Sequence, residues 1–307
     1  MQKVSIVIPF YNGDEFIDTC LKSLSLGSCA KADKIIVNNS DKPTEIHNIA
    51  ASYENITVID AKPRIGFGRA CNDGAKICVD RGAQYIIFLN QDSIVHEDLL
   101  VELIKPLEES DDLIVTAPIH YDYNFSSIER GFIAGYLTRC PALFYDALNH
   151  QLRNRYKIDC ISGACFAIRS EFINRYGLFD PVYFMYWEDD DLCRKIRHLK
   201  YDIALVPGAK IAHRNHVGES YNDMKKVEMW MRHSKFIYDL KDINILFLKT
   251  CIYVCYYSIN DYLRYCTAFR FDKILHALIT DIRLVINLPR IMLSRNVERN
   301  FVRIRVM

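Results

Sequence analysis

The sequence predicts an α/β fold with a mostly parallel central sheet, helices on both faces of that sheet, and a helical extension at the C-terminus. In the first half, short apolar runs alternate with longer amphipathic segments, and the runs are continuous rather than interrupted by polar residues. Continuous apolar strands separated by helices are typical of a parallel sheet that is buried on both faces. Residues 225–307 instead favour helix almost throughout.

The order of the elements follows from this pattern. The apolar runs predict strands at Val4–Pro9, Lys34–Val37, Ile56–Asp60, Tyr85–Leu89 and residues 160–168. Asp14 is expected to cap a first helix with the inner face Ile17, Cys20, Leu21 and Leu24. Further helices are predicted at Arg69–Arg81 and at Glu188–Leu199, the latter with the inner face Leu192, Ile196 and Leu199. Residues 119–158 lack this rhythm, and Pro207-Gly208 predicts a turn after the apolar run Ile203–Val206.

Length and composition limit the domain organisation. A chain of 307 residues, half of them apolar, is enough for one large domain and an appendage. We therefore expect an α/β domain over residues 1–235, with halves at about 1–118 and 119–235, and a helical extension over residues 236–307.

Charge and cysteine content exclude some classes of protein. The formal net charge of +1 provides no overall basic field for nucleic acid. It is unevenly spread, because residues 241–307 carry 11 Lys and Arg against 5 Asp and Glu. The eleven cysteines show no paired zinc-ligand spacing, which predicts reduced thiols in a cytoplasmic protein. Met1–Val4 runs directly into a strand, so no signal peptide is expected.

Polar side chains follow the strands at the edge where α/β sheets bind ligands. Asn90-Gln91-Asp92-Ser93 comes directly after a buried strand. A carboxylate beside a carboxamide can hold Mg²⁺ or Mn²⁺, although Asn and Asp also favour plain turns after strands. Both interpretations of Asp92 stay open at this point.

A glycine-containing segment, Gly66-Phe67-Gly68, precedes Arg69 and Asn72. It is not a dinucleotide fingerprint, because Cys71 stands at the third glycine position and the segment does not follow the first strand. A flexible loop that leads into a helix bearing an arginine nevertheless suits an anionic ligand.

Four consecutive acids follow an aromatic run in Trp187-Glu188-Asp189-Asp190-Asp191. Acids at a helix N-terminus are favoured by the helix dipole, but four exceed what capping requires. A carboxylate beside aromatic side chains is typical of a general base that faces a sugar. His213 and His216, three residues apart, are candidates for a metal or phosphate contact, although single histidines are more often structural.

Six segments, in order over about residues 3–220, resemble the family-2 glycosyltransferases and especially their rhamnosyltransferase-like branch. Gly66–Gly74 is similar to the family's G-F-G-x-A-x-N-x-G loop, and Leu89–Ser93 to L-N-P-D-T, a variant of the metal-binding D-x-D motif. Phe184–Cys193 is similar to F-M-Y-x-E-D-x-D-L-C. The remaining matches are Val4–Asn12, Ile36–Asp41 and His213.

The resemblance implies a GT-A fold and an inverting, metal-dependent transfer from a nucleotide sugar, such as dTDP-rhamnose or a UDP-hexose, to a saccharide or lipid-linked saccharide. Residues 1–118 would bind the nucleotide, and residues 119–235 the acceptor. Asp189 would be the catalytic base with Glu188 beside it, and Asp92 and His213 would bind Mg²⁺ or Mn²⁺. Gly163 and Trp187 are expected on the acceptor side. The expected nucleotide-binding residues are Pro9, Tyr11, Asn12, Asn39, Gly66, Arg69, Asn72, Asn90 and Gln91.

Two departures from the family pattern leave alternatives open. Asn38 and Asn90 replace aspartates that the family usually has, which would suit a catalytically impaired sugar- or nucleotide-binding paralogue. A nucleotidyltransferase is a further alternative, but the segment after the first strand, Phe10–Gly13, lacks the glycine-rich basic loop of that class.

The C-terminal extension is expected to rest on the cytoplasmic face of the cell membrane without spanning it. Its apolar segment Ile243–Ile259 is 17 residues long and has Lys249 near its centre, whereas a span takes about 20 apolar residues. Basic residues beside apolar ones are typical of interfacial helices. The alternative is that these helices pack on the catalytic domain or form a homodimer.

Overall fold

The computed structural model describes residues 3–214 and 221–306, with side chains for 3–214 and 225–302. The candidate His216 lies outside the described residues. The chain divides into two compact units, Met1–Phe179 with Leu192–His216 and Asp180–Asp191 with Val217–Met307. The boundary predicted at residue 235 concerns functional domains and stays a prediction.

The first unit is built on one mixed sheet of nine described strands. Their order is β3-β2-β1-β4-β8-β6-β9-β5, with β7 paired to β9. β1 pairs in parallel with β2 and β4, β2 with β3, and β6 with β9, whereas β5, β7 and β8 pair antiparallel with their neighbours. The strands are β1 Val4–Phe10, β2 Asp33–Asn38, β3 Ile56–Asp60, β4 Tyr85–Leu89, β5 Ser93–Val95, β6 Leu113–Tyr121, β7 Tyr156–Lys157, β8 Cys165–Arg169 and β9 Asp202–His213.

Helices connect these strands and form the C-terminal part of the chain. Those of the first unit are α1 Asp14–Leu24, α2 Ile46–Ala50, α3 Phe67–Asp80, α4 Leu99–Glu108, α5 Arg130–Gly135, α6 Pro141–Leu148 and α7 Ser170–Tyr176. Helix α8, Glu188–His198, starts in the segment that belongs to the second unit. The helices α9 Tyr221–Lys241, α10 Phe247–Thr267 and α11 Phe271–Val306 make up most of the second unit.

Most element predictions are confirmed. The first four strands are present with ends shifted by at most one residue, and the predicted inner faces of α1 and α8 are buried. The predicted cap of α1 is wrong, because Gly13 is the N-cap residue and the Asp14 carboxylate instead accepts a hydrogen bond from the Glu45 amide.

Two strand predictions needed correction. The run at residues 160–168 forms a strand only from Cys165, because Ser162 and Gly163 precede it in a turn where the Ser162 hydroxyl accepts the Ala164 N–H. No turn ends the strand at Pro207-Gly208, since β9 continues to His213. The irregularity lies in its pairing with β6, where the partners jump from Val206 to Lys210. A bulge tolerates proline because it relaxes the ladder.

Close packing fixes α3 against the sheet. A Cβ at Gly74 would lie 2.5 Å from a methyl carbon of Val7, so only glycine allows this approach between helix and strand. The strands themselves form the core, in which Ile6, Ile8, Ile36 and Ile87 are fully buried. The N-terminus of α3 is thereby held at the carboxyl-end edge of β1 and β2.

A buried ion-pair cluster holds the second unit together. The Lys241 ammonium is 2% exposed and lies 2.5 Å from the carboxylates of both Asp180 and Asp191. The Ser294 hydroxyl also donates to Asp180. Lys241 thereby connects the end of α9 to Asp180 before α8 and to Asp191 in the first turn of α8, and Ser294 connects α11 to Asp180.

Replacing Lys241 by alanine should lower the free energy of unfolding by about 3–5 kcal/mol, because two buried carboxylates would lose their compensating charge. The measurement is urea unfolding at neutral pH. The matched control is Lys22→Ala at an exposed position of α1, which should change the value by less than about 0.5 kcal/mol. Equal unfolding curves for the two variants would contradict the structural role of Lys241.

Candidate active site

The loops after β1 and β4 are joined by one side chain. The Gln91 amide donates to the Tyr11 carbonyl at 3.1 Å, and its oxygen accepts the Tyr11 N–H at 2.8 Å. A Cβ at Gly13 would lie 2.2 Å from the Gln91 amide nitrogen, so a larger residue there would force the Gln91 side chain to move away from Tyr11. The structure thus brings Tyr11 and Gln91 together, and their predicted role in nucleotide binding stays a prediction.

The loop after β2 is fixed by two asparagines. Asn12 adopts the left-handed conformation (φ 47°), its N–H donates to Ser40 Oγ, and its side chain donates to Asp41 at 2.7 Å. Asn39 is buried, and its side-chain oxygen accepts the Ile65 N–H at 2.6 Å. This oxygen of Asn39 therefore orders the loop before α3, and the expected role of Asn39 in nucleotide binding stays a prediction.

Arg69 and Asn72, both expected to bind the nucleotide, have different environments at the start of α3. Gly66 has φ 93° at the N-cap position, and Arg69 is exposed in the first turn. Asn72 makes both of its amide hydrogen bonds to the backbone of Phe179, at 2.8 and 3.0 Å. Asn72 thus makes a structural contact, whereas Arg69 is an exposed residue of the first helix turn.

The two predicted metal ligands, Asp92 and His213, lie next to each other at the end of β9. Asp92 Oδ1 lies 3.5 Å from His213 Nε2, and the side chain of Asn90 is also 3.5 Å from that nitrogen. The antiparallel pairing of β5 with β9 places Ser93 opposite His213 and so fixes Asp92 next to the ring. Asp92 is only 7% exposed, so this carboxylate is buried and not part of a plain surface turn.

Two further residues at this site were missed from the sequence. Glu129 Oε2 lies 3.7 Å from His213 Nδ1 and 3.9 Å from His120 Nδ1. Within the described residues, donor atoms of His120, Glu129 and His213 lie within 4.8 Å of one another. The position of His120 near the end of a buried strand, like Asp92 after β4, was the available signal, but residues 119–158 showed no periodicity.

The carboxylates determine the protonation of His213. Burial lowers the pKa of His213, but hydrogen bonds and charge interactions with Asp92 and Glu129 outweigh it and raise the pKa to about 9. Burial and the charge of His213 hold the pKa of His120 well below its usual value, so His120 is neutral. Its ring stacks on Phe132 with centroids 4.4 Å apart.

The Asp92–His213 pair fits a divalent cation. Two ligands of an octahedral ion with bonds of about 2.1 Å lie about 3 Å apart, close to the observed 3.5 Å. Glu129 faces the other ring nitrogen, which would keep the proton on Nδ1 and direct the Nε2 lone pair towards the ion. Mixed carboxylate and imidazole donors suit Mn²⁺ better than Mg²⁺, which prefers oxygen.

The acidic turn belongs to the second unit. Tyr186 and Trp187 both have φ 68°, a left-handed conformation that costs on the order of 1–3 kcal/mol for a bulky residue. Contacts within the unit hold this backbone, since Ser234 donates to the Met185 carbonyl and the Trp187 ring packs against Tyr238. Backbone strain of this kind is concentrated at active sites and ligand-binding segments of proteins in general.

The first two acids of this turn differ in environment. Glu188 is 5% exposed, and burial together with the charge of Asp189 raises its pKa to about 8, so it is mostly protonated at neutral pH. Asp189 is half-buried and accepts the Asp190 N–H at 3.0 Å. Gly163, the other residue expected on the acceptor side, lies half-buried in the turn before β8.

The family described as Glycosyl transferase family 2 matches residues 5–177 of this chain, which is more than half of it. The chain is 25% identical over 256 residues to Rhamnosyltransferase WbbL of Escherichia coli K12, an alignment that covers 76% of this chain and 92% of WbbL. It is 33% identical over 105 residues to Poly(ribitol-phosphate) beta-glucosyltransferase of Bacillus spizizenii, covering 32% of this chain and 16% of that enzyme.

The fold also has solved counterparts. The structure of GalNAc-T7 with UDP, GalNAc and Mn²⁺ superposes with a TM-score of 0.56 at 17% identity and covers 78% of this chain and 50% of that one. At this identity the likeness shows the fold alone. The chain has a GT-A fold, as the sequence predicted.

The His213 cluster should make the stability of metal-free protein fall at alkaline pH. A pKa raised from about 6.5 to about 9 contributes stability that is complete below pH 6.5 and is lost as the pH rises through 9. The loss should be about 3 kcal/mol, measured by urea unfolding in chelator between pH 6 and 9.5.

The His213→Asn variant is the control, because deprotonation of the buried Glu188 also lowers the stability of the protein over part of this pH range. The informative quantity is the difference in slope between wild type and variant, and equal slopes would contradict the raised pKa of His213.

Proposed function

Because the chain belongs to glycosyltransferase family 2, we propose that it is an inverting glycosyltransferase that uses a nucleotide-sugar donor in surface polysaccharide biosynthesis. The observation that carries this proposal is the Asp92–His213 pair, a buried carboxylate and an imidazole 3.5 Å apart at the ligand-binding edge of the sheet. A diphosphate with a divalent ion is the ligand that such a pair suits best.

The proposed donor is dTDP-rhamnose or a UDP-hexose. The similarity to a rhamnosyltransferase over most of both chains supports dTDP-rhamnose as the donor. The similarity to the structure of GalNAc-T7 with UDP supports a UDP-hexose. The joined loops of Tyr11, Asn12 and Gln91 would enclose the nucleoside together with Pro9, and Arg69 would meet a phosphate. Asn39 and Asn72 would then act through the loops they order.

The proposed reaction is a single displacement on a saccharide or lipid-linked saccharide. Asp189 would accept the proton of the acceptor hydroxyl while that oxygen attacks the anomeric carbon and the bond to the diphosphate breaks. Glu188, largely protonated, is less suited to this role than its neighbour. A bound Mg²⁺ or Mn²⁺ would supply positive charge beside the leaving diphosphate.

Nucleotide binding should depend on the divalent ion and on Asp92. In a thermal-shift panel with Mn²⁺, dTDP or UDP should stabilise the protein, by about 2.7 kcal/mol at a concentration 100 times Kd, whereas ADP and GDP should not. Chelator and Asp92→Asn should each remove the shift. Full stabilisation in excess chelator would contradict a metal-dependent donor site.

The same panel tests Glu129. Glu129→Gln should weaken Mn²⁺ binding by about 10–100-fold, because the ring of His213 loses the carboxylate that fixes its tautomer. Glu108→Gln, an exposed acid on α4, is the matched control and should leave Mn²⁺ binding unchanged.

Asp189→Asn should lower kcat by about 10²–10⁴-fold and leave nucleoside diphosphate binding intact, because the amide cannot accept the acceptor's proton. The readout is nucleoside diphosphate release and sugar transfer with a panel of nucleotide sugars and acceptors. The neighbouring Asp190→Asn is the matched control. Near-normal turnover of Asp189→Asn would reject the assignment, and a wild type inactive with every donor would favour the catalytically impaired paralogue.

A further inference from the structure

Helix α10 exposes an apolar stripe on the side opposite its buried residues. Thr250 and Val254 are buried, whereas the stripe is spaced by three or four residues and therefore lies on one helix face. Each of its members is between 59 and 74% exposed: Leu248, Ile252, Tyr256, Ile259 and Leu263. Because they follow one helical face, they form a continuous surface rather than scattered apolar residues.

Helix α11 repeats this arrangement over its first six turns. Its buried residues include Ala277, Leu284 and Ile291, and its outer face is again apolar. The outer residues are between 48 and 70% exposed: Phe271, Leu275, Leu278, Ile282, Val285, Ile286 and Leu293. The two helices pack on each other and on α9 within one unit. Soluble proteins seldom leave so much apolar surface uncovered without a binding partner.

On the same helices, the exposed charged side chains and the acidic side chains lie in different environments. Between residues 242 and 302, every exposed charged side chain is cationic: Lys249, Arg264, Arg283, Arg290 and Arg299. The acids are buried or half-buried, and three of them pair with cations inside the unit. Asp261 and Asp281 contact Arg232, and Asp272 contacts Lys225 and Arg270. The outward field of α10 and α11 is therefore positive.

We propose that the outer faces of α10 and α11, with these five cations, form a surface that binds an anionic lipid bilayer. The apolar stripes enter the boundary between headgroups and acyl chains, and the cations meet the lipid phosphates. Exposed Tyr253, Tyr256 and Tyr257 suit this depth, since a tyrosine has an apolar ring and a polar hydroxyl. Within the described part of the chain, no helix is long and apolar enough to cross a bilayer.

Charge favours a lipid surface over a second copy of the chain as the occupant. A two-fold symmetric contact presents the same patch from both partners, so Lys249, Arg283 and Arg290 would approach a surface that exposes only cations. An anionic bilayer instead supplies the missing negative charge. The acids of residues 242–302 do not supply it, because they are buried or half-buried.

The test is co-sedimentation of the full chain with vesicles of phosphatidylcholine alone or mixed with phosphatidylglycerol. We expect binding to the anionic vesicles, little binding to the neutral ones, and loss of binding at high salt. Replacing Lys249, Arg283 and Arg290 by Gln should weaken binding about 100-fold. Replacing Leu248, Ile252 and Ile259 by Ser should weaken it by about 10-fold or more per residue.

The matched controls are the same types of substitution at exposed residues of the first unit. Lys31, Lys76 and Lys105 replaced by Gln control for net charge, and Leu26, Val101 and Leu148 replaced by Ser control for lost apolar surface. Both control triples should bind vesicles as the wild type does. Thermal unfolding verifies that every variant is folded.

Three outcomes would overturn the proposal. The wild type could stay in the supernatant with anionic vesicles at low salt, or the Ser triple on α10 could bind as tightly as the wild type. The chain could also form a dimer in the absence of vesicles, and the three Ser substitutions on α10 could dissociate that dimer. These helix faces would then be a contact between copies of the chain. Nucleoside diphosphate binding, measured without vesicles, reports separately on the proposed enzymatic function.

Discussion

The backbone pairing of β9 determines where the candidate metal ligands lie. This strand pairs with β6 on one side and β5 on the other, so the end of β9 brings His213 next to residues that follow β4 and β6. Side chains alternate between the faces of a strand, so a slip of one residue would turn His213 away from Asp92 and Glu129. The bulge at Pro207–Gly208 is part of this arrangement, because it resets the register before His213 is reached.

Burial of charge separates the roles of residues that look alike in the sequence. Of the four consecutive acids at the start of α8, Asp191 is neutralised by Lys241, and Glu188 is buried with its pKa raised to about 8. A buried charge is stable only with a partner, and a buried acid without one becomes protonated. Asp189 and Asp190 remain half-buried at the turn, and the family resemblance then points to Asp189.

The sequence predicted elements that can be read from local periodicity. Strands such as β1 and β4 are continuous apolar runs, and Asp92 and His213 follow such runs directly. The contributions of His120 and Glu129 could not be predicted, because they depend on a strand pairing between residues distant in the chain. The same holds for Asn72, whose bonds to Phe179 span 107 residues, and for Asp14, where the contact with Glu45 replaced the expected cap.

In helices α10 and α11, the buried and the exposed side chains also differ in charge. Arg232 of α9 binds Asp261 of α10 and Asp281 of α11, and so joins the three helices through charged hydrogen bonds. A small apolar core that includes Phe236, Ile237 and Leu284 completes the contact. Because these interactions use acids and few of the apolar residues, the excess of cations and most of the leucines and isoleucines remain on the outer faces. Within residues 242–302 the exposed charges are therefore cationic, whereas the acids are buried or half-buried.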